Sequence, residues 1–228
     1  MLVIKNKTAR SVIRKVFPFV LIPALAVLGA TVFDNSRHII ISLCIAVLTL
    51  FIFASGYEKK KAGTWRMVIA AVMIALCVFG RFIPLFKPIT AITIITGMYI
   101  GSETGFLVGA MSALISNIYM GQGPWTAFQM LAWGLIGFVA GVLADPLRKH
   151  RALLLAYGVI TGILYSFIMD IWTTLWYVGG FDVGVYLSAL VTAVPYTVSY
   201  AVSNFIFLFF LAKPFGDKLS RIRIKYGV

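Results

Sequence analysis

Apolar runs near the roughly 20 residues needed to cross a bilayer core recur at 16–33, 39–57, 67–86, 125–143, 152–177 and 187–212. Only short polar turns separate them. Charged residues make up 12% of the chain and hydrophobic ones 61%, whereas a soluble domain is about 25% charged. The expected fold is all-α, a polytopic membrane helical bundle with little room for a soluble domain. Residues 1–33 lack the small-residue cleavage pattern of a secretory signal, and further spans follow.

The run 88–120 does not fit one span. As a single helix it would be about 50 Å long at about 1.5 Å per residue, against a hydrocarbon core of about 30 Å. It also holds Glu103 between Gly101 and Gly105. A lone carboxylate is costly in mid-bilayer, so it is expected at a solvated turn. Splitting the run at 101–105 gives eight spans with both termini on one side. That side then collects all 20 Lys and Arg except Arg37, Arg81 and Lys87. Without the split the charges divide almost evenly. The positive-inside bias therefore selects the split, cytoplasmic termini and an outward turn at 121–125. It also accounts for the net charge of +13 without nucleic acid. The expected organisation is an N-terminal two-helix transmembrane hairpin at 1–58 and a six-span core at 62–228.

Small residues recur every four positions: Ala71 and Ala75, the series Gly97, Gly101, Gly105 and Gly109, then Gly137 with Gly141 and Gly158 with Gly162. In lipid, such spacing lets helix backbones approach closely. Most of these are expected to pack helices within the subunit. For Ala71 and Ala75, internal packing and docking on a partner subunit weigh equally.

Polar and aromatic residues gather toward the outward end of the bundle. The candidate ligand contacts are Arg81, Asn117, Tyr119, Gln122, Trp125, Gln129, Trp133, Asp170, Trp172, Tyr196 and Asn204. For any single aromatic the interfacial belt is the simpler account. Trp125, Gln129 and Trp133, however, are spaced by four and share a helix face. Two indoles and an amide suit a large, flat, uncharged, amide-rich ligand. Asp170 lies inside an apolar run and should face the bundle interior, a partner or water. Its two readings are an ion pair with Arg81 and a ligand contact.

Other chemistry lacks its residues. No Gly-x-x-x-x-Gly-Lys-Ser/Thr phosphate loop occurs. His38 and His150 fall on opposite sides in this topology, and Cys44 and Cys77 form neither a disulfide framework nor a metal spacing. With one deep carboxylate, a relay of acids for proton-coupled transport is unsupported. An intramembrane enzyme is equally unsupported, and no metal site is expected.

The segment 62–228 resembles a substrate-binding S component of an energy-coupling factor (ECF) vitamin transporter. The resemblance rests on six spans with cytoplasmic ends and on the Ala-x-x-x-Ala pair at 71 and 75. It rests also on the loop Gly-Gln-Gly-Pro-Trp-Thr (121–126) with the helix Gln-Met-Leu-Ala-Trp-Gly-Leu-Ile-Gly (129–137). The loop phrase is most similar to S components of the cobalamin type. The resemblance implies a non-enzymatic binding subunit of the bacterial plasma membrane that captures a vitamin outside. It implies docking through Ala71 and Ala75 on a transmembrane T component energised by two cytoplasmic ATPases. Cobalamin or a related corrinoid is the expected ligand. The alternatives are riboflavin, pantothenate, folate or a queuosine precursor, a standalone secondary carrier, or an assembly protein without ligand. The hairpin at 1–58 departs from the six-span pattern.

Overall fold

A computed structural model describes residues 6–31, 38–55, 60–84 and 87–226. The described residues are almost wholly helical and contain no strand. Helix α1 (Lys7–Val16) starts where the Asn6 side chain accepts hydrogen bonds from the backbone N–H groups of Thr8 and Ala9. This is the usual way to satisfy orphan donors at a helix start. A π-helical turn at Phe17–Leu21, carrying Pro18, leads without a break into α2 (Ile22–Thr31). Proline removes one N–H from the ladder. The first span is therefore continuous over Lys7–Thr31, longer than the apolar run alone. Helix α3 (His38–Ser55) follows. The expected junction near 58–62 and the charges Lys5, Arg37 and Lys59 lie wholly or partly outside the described residues.

Helix α4 (Lys60–Gly80) leads to the central pair α5 (Ile89–Ile100) and α6 (Ser102–Met120). The run 88–120 does break, and at one residue. Gly101 has φ +122°, a conformation that costs glycine little and other residues much. Glu103 therefore lies in the first turn of α6, not in a loop. It is buried rather than solvated, which corrects the expectation, and it forms an ion pair with Arg14 of α1. The positive end of the α6 dipole further favours a carboxylate there.

Helix α7 (Trp125–Val142), the short α8 (Ala144–Lys149), α9 (Arg151–Val178) and α10 (Val183–Tyr226) complete the chain. Neither α8 nor the extension of the last helix to Tyr226 was expected from apolar runs. Tyr226 stacks on Trp65 at 3.8 Å, which ties the chain's end to the start of α4. Among the described residues, four helical segments are long and apolar enough to cross a membrane: Lys7–Thr31, Trp125–Val142, Arg151–Val178 and Val183–Tyr226. The shorter apolar helices lie at Ile39–Ser55, Thr64–Gly80 and Ile89–Ile100.

Every residue of α5 except Tyr99 is buried, so α5 is the bundle's axis. It touches α4, α6, α7, α9 and α10. Along α5, α6 and α7 the backbones meet. A Cβ on Gly137 would lie 2.6 Å from the Gly105 carbonyl carbon, and one on Gly105 2.7 Å from Gly97 Cα. Likewise a Cβ on Gly162 of α9 would lie 2.8 Å from the Ala201 nitrogen of α10. These glycines serve packing within the subunit, because close approach replaces the hydrophobic drive that lipid does not supply. Helices α2 and α3 pack on each other and against α7, and α3 also lies on α6.

At the α4–α5 connection Arg81 is buried and Lys87 half-buried, while Phe82 and Ile83 between them are 57% and 44% exposed.

Candidate functional site

Arg81 follows the last residue of α4 and is 8% exposed. Its guanidinium donates to the Ser116 hydroxyl and, at 2.8 Å, to Oδ1 of Asn117 on α6. The Asn117 amide in turn donates at 2.8 Å to both Thr126 Oγ1 and Gln129 Oε1 on α7. Thr126 donates to Gln122 Oε1 at 2.9 Å, and the Gln122 amide donates to the Leu114 carbonyl at 2.9 Å. A chain of polar groups thus runs from the end of α4 to the α6–α7 turn. In a low-dielectric interior such a connected chain is worth more than its isolated bonds, although the Arg81 Nε is buried without a partner.

An aromatic wall stands beside this chain. Arg81 lies over the Trp133 ring at 5.1 Å, within cation–π range. Trp133 stacks on Tyr165 of α9 at 4.7 Å, and Tyr165 meets Tyr200 of α10 edge-on at 5.0 Å. The Trp133 indole N–H donates to Thr90 Oγ1 on α5 at 3.2 Å. Farther along α7, Trp125 meets Trp172 edge-on at 5.6 Å, and Trp172 stacks on Trp176 at 6.1 Å. Lys87 lies half-buried in the α4–α5 connection, where Ser203 of α10 donates to its carbonyl at 3.0 Å.

The structure therefore brings Arg81, Asn117, Gln122, Gln129 and Trp133 into one network, with Trp125 and Trp172 beside one another. It does not bring in the remaining candidates. Tyr119 and Tyr196 are 74% and 69% exposed and face away from the bundle. Asn204 is buried but donates to the Gly158 carbonyl at 2.9 Å, so it joins α10 to α9. Arg81 and Asp170 form no ion pair, since the guanidinium is engaged by α6 and Trp133. Asp170 is 7% exposed and its Oδ2 has no partner, like the indole N–H of Trp172.

Ser116, Thr126, Tyr165 and Tyr200 belong to the network but were not singled out in the sequence. Their signal is weak: a hydroxyl midway along an apolar helix. The arrangement is closed: Trp133, Tyr165 and Asn117 are 2%, 4% and 1% exposed, and the rings, amides and cation engage one another. Among the described residues no three of His, Cys, Asp and Glu come close enough to hold a metal ion. On α4, Ala71 and Ala75 are both exposed, while Ile69, Ala70, Met73 and Cys77 on the other face are buried.

A family model described as ECF-type riboflavin transporter, S component, matches residues 61–221. No curated protein and no solved structure matches the chain.

Proposed function

The chain belongs to the family of ECF-type riboflavin transporter S components, and from that premise we propose that its own ligand is riboflavin or a close flavin relative. The coarser statement needs no proposal. This is a multi-pass plasma-membrane protein and the substrate-binding component of an ECF transporter, not an enzyme. The observation that carries the flavin reading is the Trp133–Tyr165–Tyr200 wall bordered by Arg81, Asn117 and Gln129. A flavin ring is flat and uncharged, with an imide edge that both donates and accepts hydrogen bonds. Stacking on an aromatic face and exchange with the Asn117 and Gln129 amides would satisfy both parts. The corrinoid expectation rested on the loop phrase at 121–137, and the family match lends it no support.

The side of capture follows from charge. With both termini in the cytoplasm, as the positive-inside bias favours, the α4–α5 connection faces outward. Ala71 and Ala75 give α4 a low, exposed strip on which a T component can pack closely. ATP hydrolysis then belongs to the partner ATPases. Purified protein should quench riboflavin fluorescence in a saturable one-to-one manner and leave cobalamin unbound. Saturable cobalamin binding with no response to riboflavin would overturn the flavin reading.

A further inference from the structure

The family match begins at residue 61, so α1 lies outside it. Lys7, Arg10 and Arg14 follow the three-and-four spacing of one helix face, and Lys15 lies next to Arg14. That face does not simply meet water. Together with Phe19, Phe138 and Val142 it lines a cavity of about 460 Å³. The positive-inside bias explains basic residues near a span's end but not why they turn onto a wall of phenyl rings.

Two of the four cations have a visible anchor. Arg14 engages Glu103, and Arg10 donates from Nε to the Ser55 carbonyl at 2.8 Å. Lys7 and Lys15 are exposed and have no carboxylate partner among the described residues. The apolar wall has its own order. Phe19 meets Phe138 edge-on at 5.6 Å, while Phe19 is 51% and Val142 62% exposed. The wall therefore continues out onto the lipid-facing side of the bundle.

We propose that this cavity binds the phosphate group of an anionic phospholipid, with the lysines on the phosphate and an acyl chain along Phe19 and Val142. Any phosphate suits the cations. The open apolar wall selects a lipid over a free phosphate.

The test uses the full-length protein, extracted gently, stripped of lipid and titrated with phosphatidylglycerol or phosphatidylcholine while native mass spectrometry counts retained lipid. Phosphatidylglycerol should be retained in preference to phosphatidylcholine, and inorganic phosphate should not displace it. Lys7→Gln with Lys15→Gln leaves the Arg14–Glu103 pair intact and should weaken phosphatidylglycerol retention roughly thirtyfold, from the usual contribution of one basic residue near anionic lipid. If the double variant is unstable, Lys15→Gln alone should give a smaller loss in the same direction. Displacement of the lipid by inorganic phosphate would support the phosphate site but assign it to a soluble ligand. Equal retention of both lipids, or unchanged retention in the variants, overturns the proposal. So does a variant that keeps its lipid but fails to assemble with the ATPase module, which would make the cavity a protein-docking surface. None of these readouts depends on flavin binding.

Discussion

The guanidinium of Arg81 lies 5.1 Å from the centre of the Trp133 ring, while its Nη1 donates to Ser116 and Asn117 on α6 and its buried Nε has no partner. One cation from the end of α4 is thereby held against an indole on α7. The indole is 2% exposed, so a flat ligand would have to replace Tyr165 or Arg81 against it, and Trp133→Ala removes that ring and frees Arg81. An aromatic platform contributes about 1–3 kcal/mol per stacked ring, so riboflavin affinity should fall by roughly 10- to 100-fold. Trp133→Phe should recover part of it. Fluorescence titration of both variants checks the order.

Asn117 bonds Arg81, Thr126 and Gln129 at once. Truncation to Ala leaves several buried groups unpaired, each costing about 1–3 kcal/mol. Asn117→Ala should therefore lower thermal stability even without ligand, unlike a residue that only touches ligand. A melting curve unchanged from the parent would show that the network is not structural.

The exposed strip at Ala71 and Ala75 makes a separate expectation. Ala71→Leu with Ala75→Leu adds bulk where a partner helix should approach closely and disturbs nothing buried. Riboflavin binding to the isolated subunit should stay at the parental level while cellular uptake falls to background. Normal uptake would place the docking face elsewhere.

Asp170 has no partner for Oδ2 and does not meet Arg81. A buried, unpaired carboxylate inside a span is unfavourable, so Asp170→Asn should match or exceed the parent in folding yield. A marked fall in yield would mean that Asp170 holds a structural partner.

Arg14 of α1 pairs with the buried Glu103 of α6, yet its side chain is 44% exposed. Solvent screening limits such a pair to about 1 kcal/mol. A double-mutant cycle of Arg14→Gln and Glu103→Gln, read by thermal unfolding, should return a coupling near that size. Strict additivity would mean that the pair contributes nothing.

Much of the fold was legible because lipid imposes simple rules on a sequence. Run lengths marked the helices, and the need to split 88–120 followed from length and Glu103. The manner of the split did not follow. Glu103 reads as a solvated turn residue only while its partner, Arg14, is unknown, and nothing local links them. Within the site, the spacing of Trp125, Gln129 and Trp133 correctly put them on one face. It could not reveal that each meets a different neighbour: Trp172, Asn117 and Arg81 with Tyr165. Tyr196 and Tyr200 sit four apart on α10, and both look like interfacial aromatics. Packing against Tyr165 decides that Tyr200 turns inward while Tyr196 stays outside. Facing of this kind is a tertiary property, and a hydroxyl in an apolar run is too faint a signal to fix it.

The Arg14–Glu103 contact also has a consequence in time. Arg14 is made well before Glu103 and leaves the ribosome first. The opening span must therefore enter the membrane, or wait at its edge, while α3, α4 and α5 are still being inserted. Only when α6 arrives can the first span find its carboxylate. Helix α1 thus settles against a segment made much later, and its docking reports that the middle of the protein has been threaded.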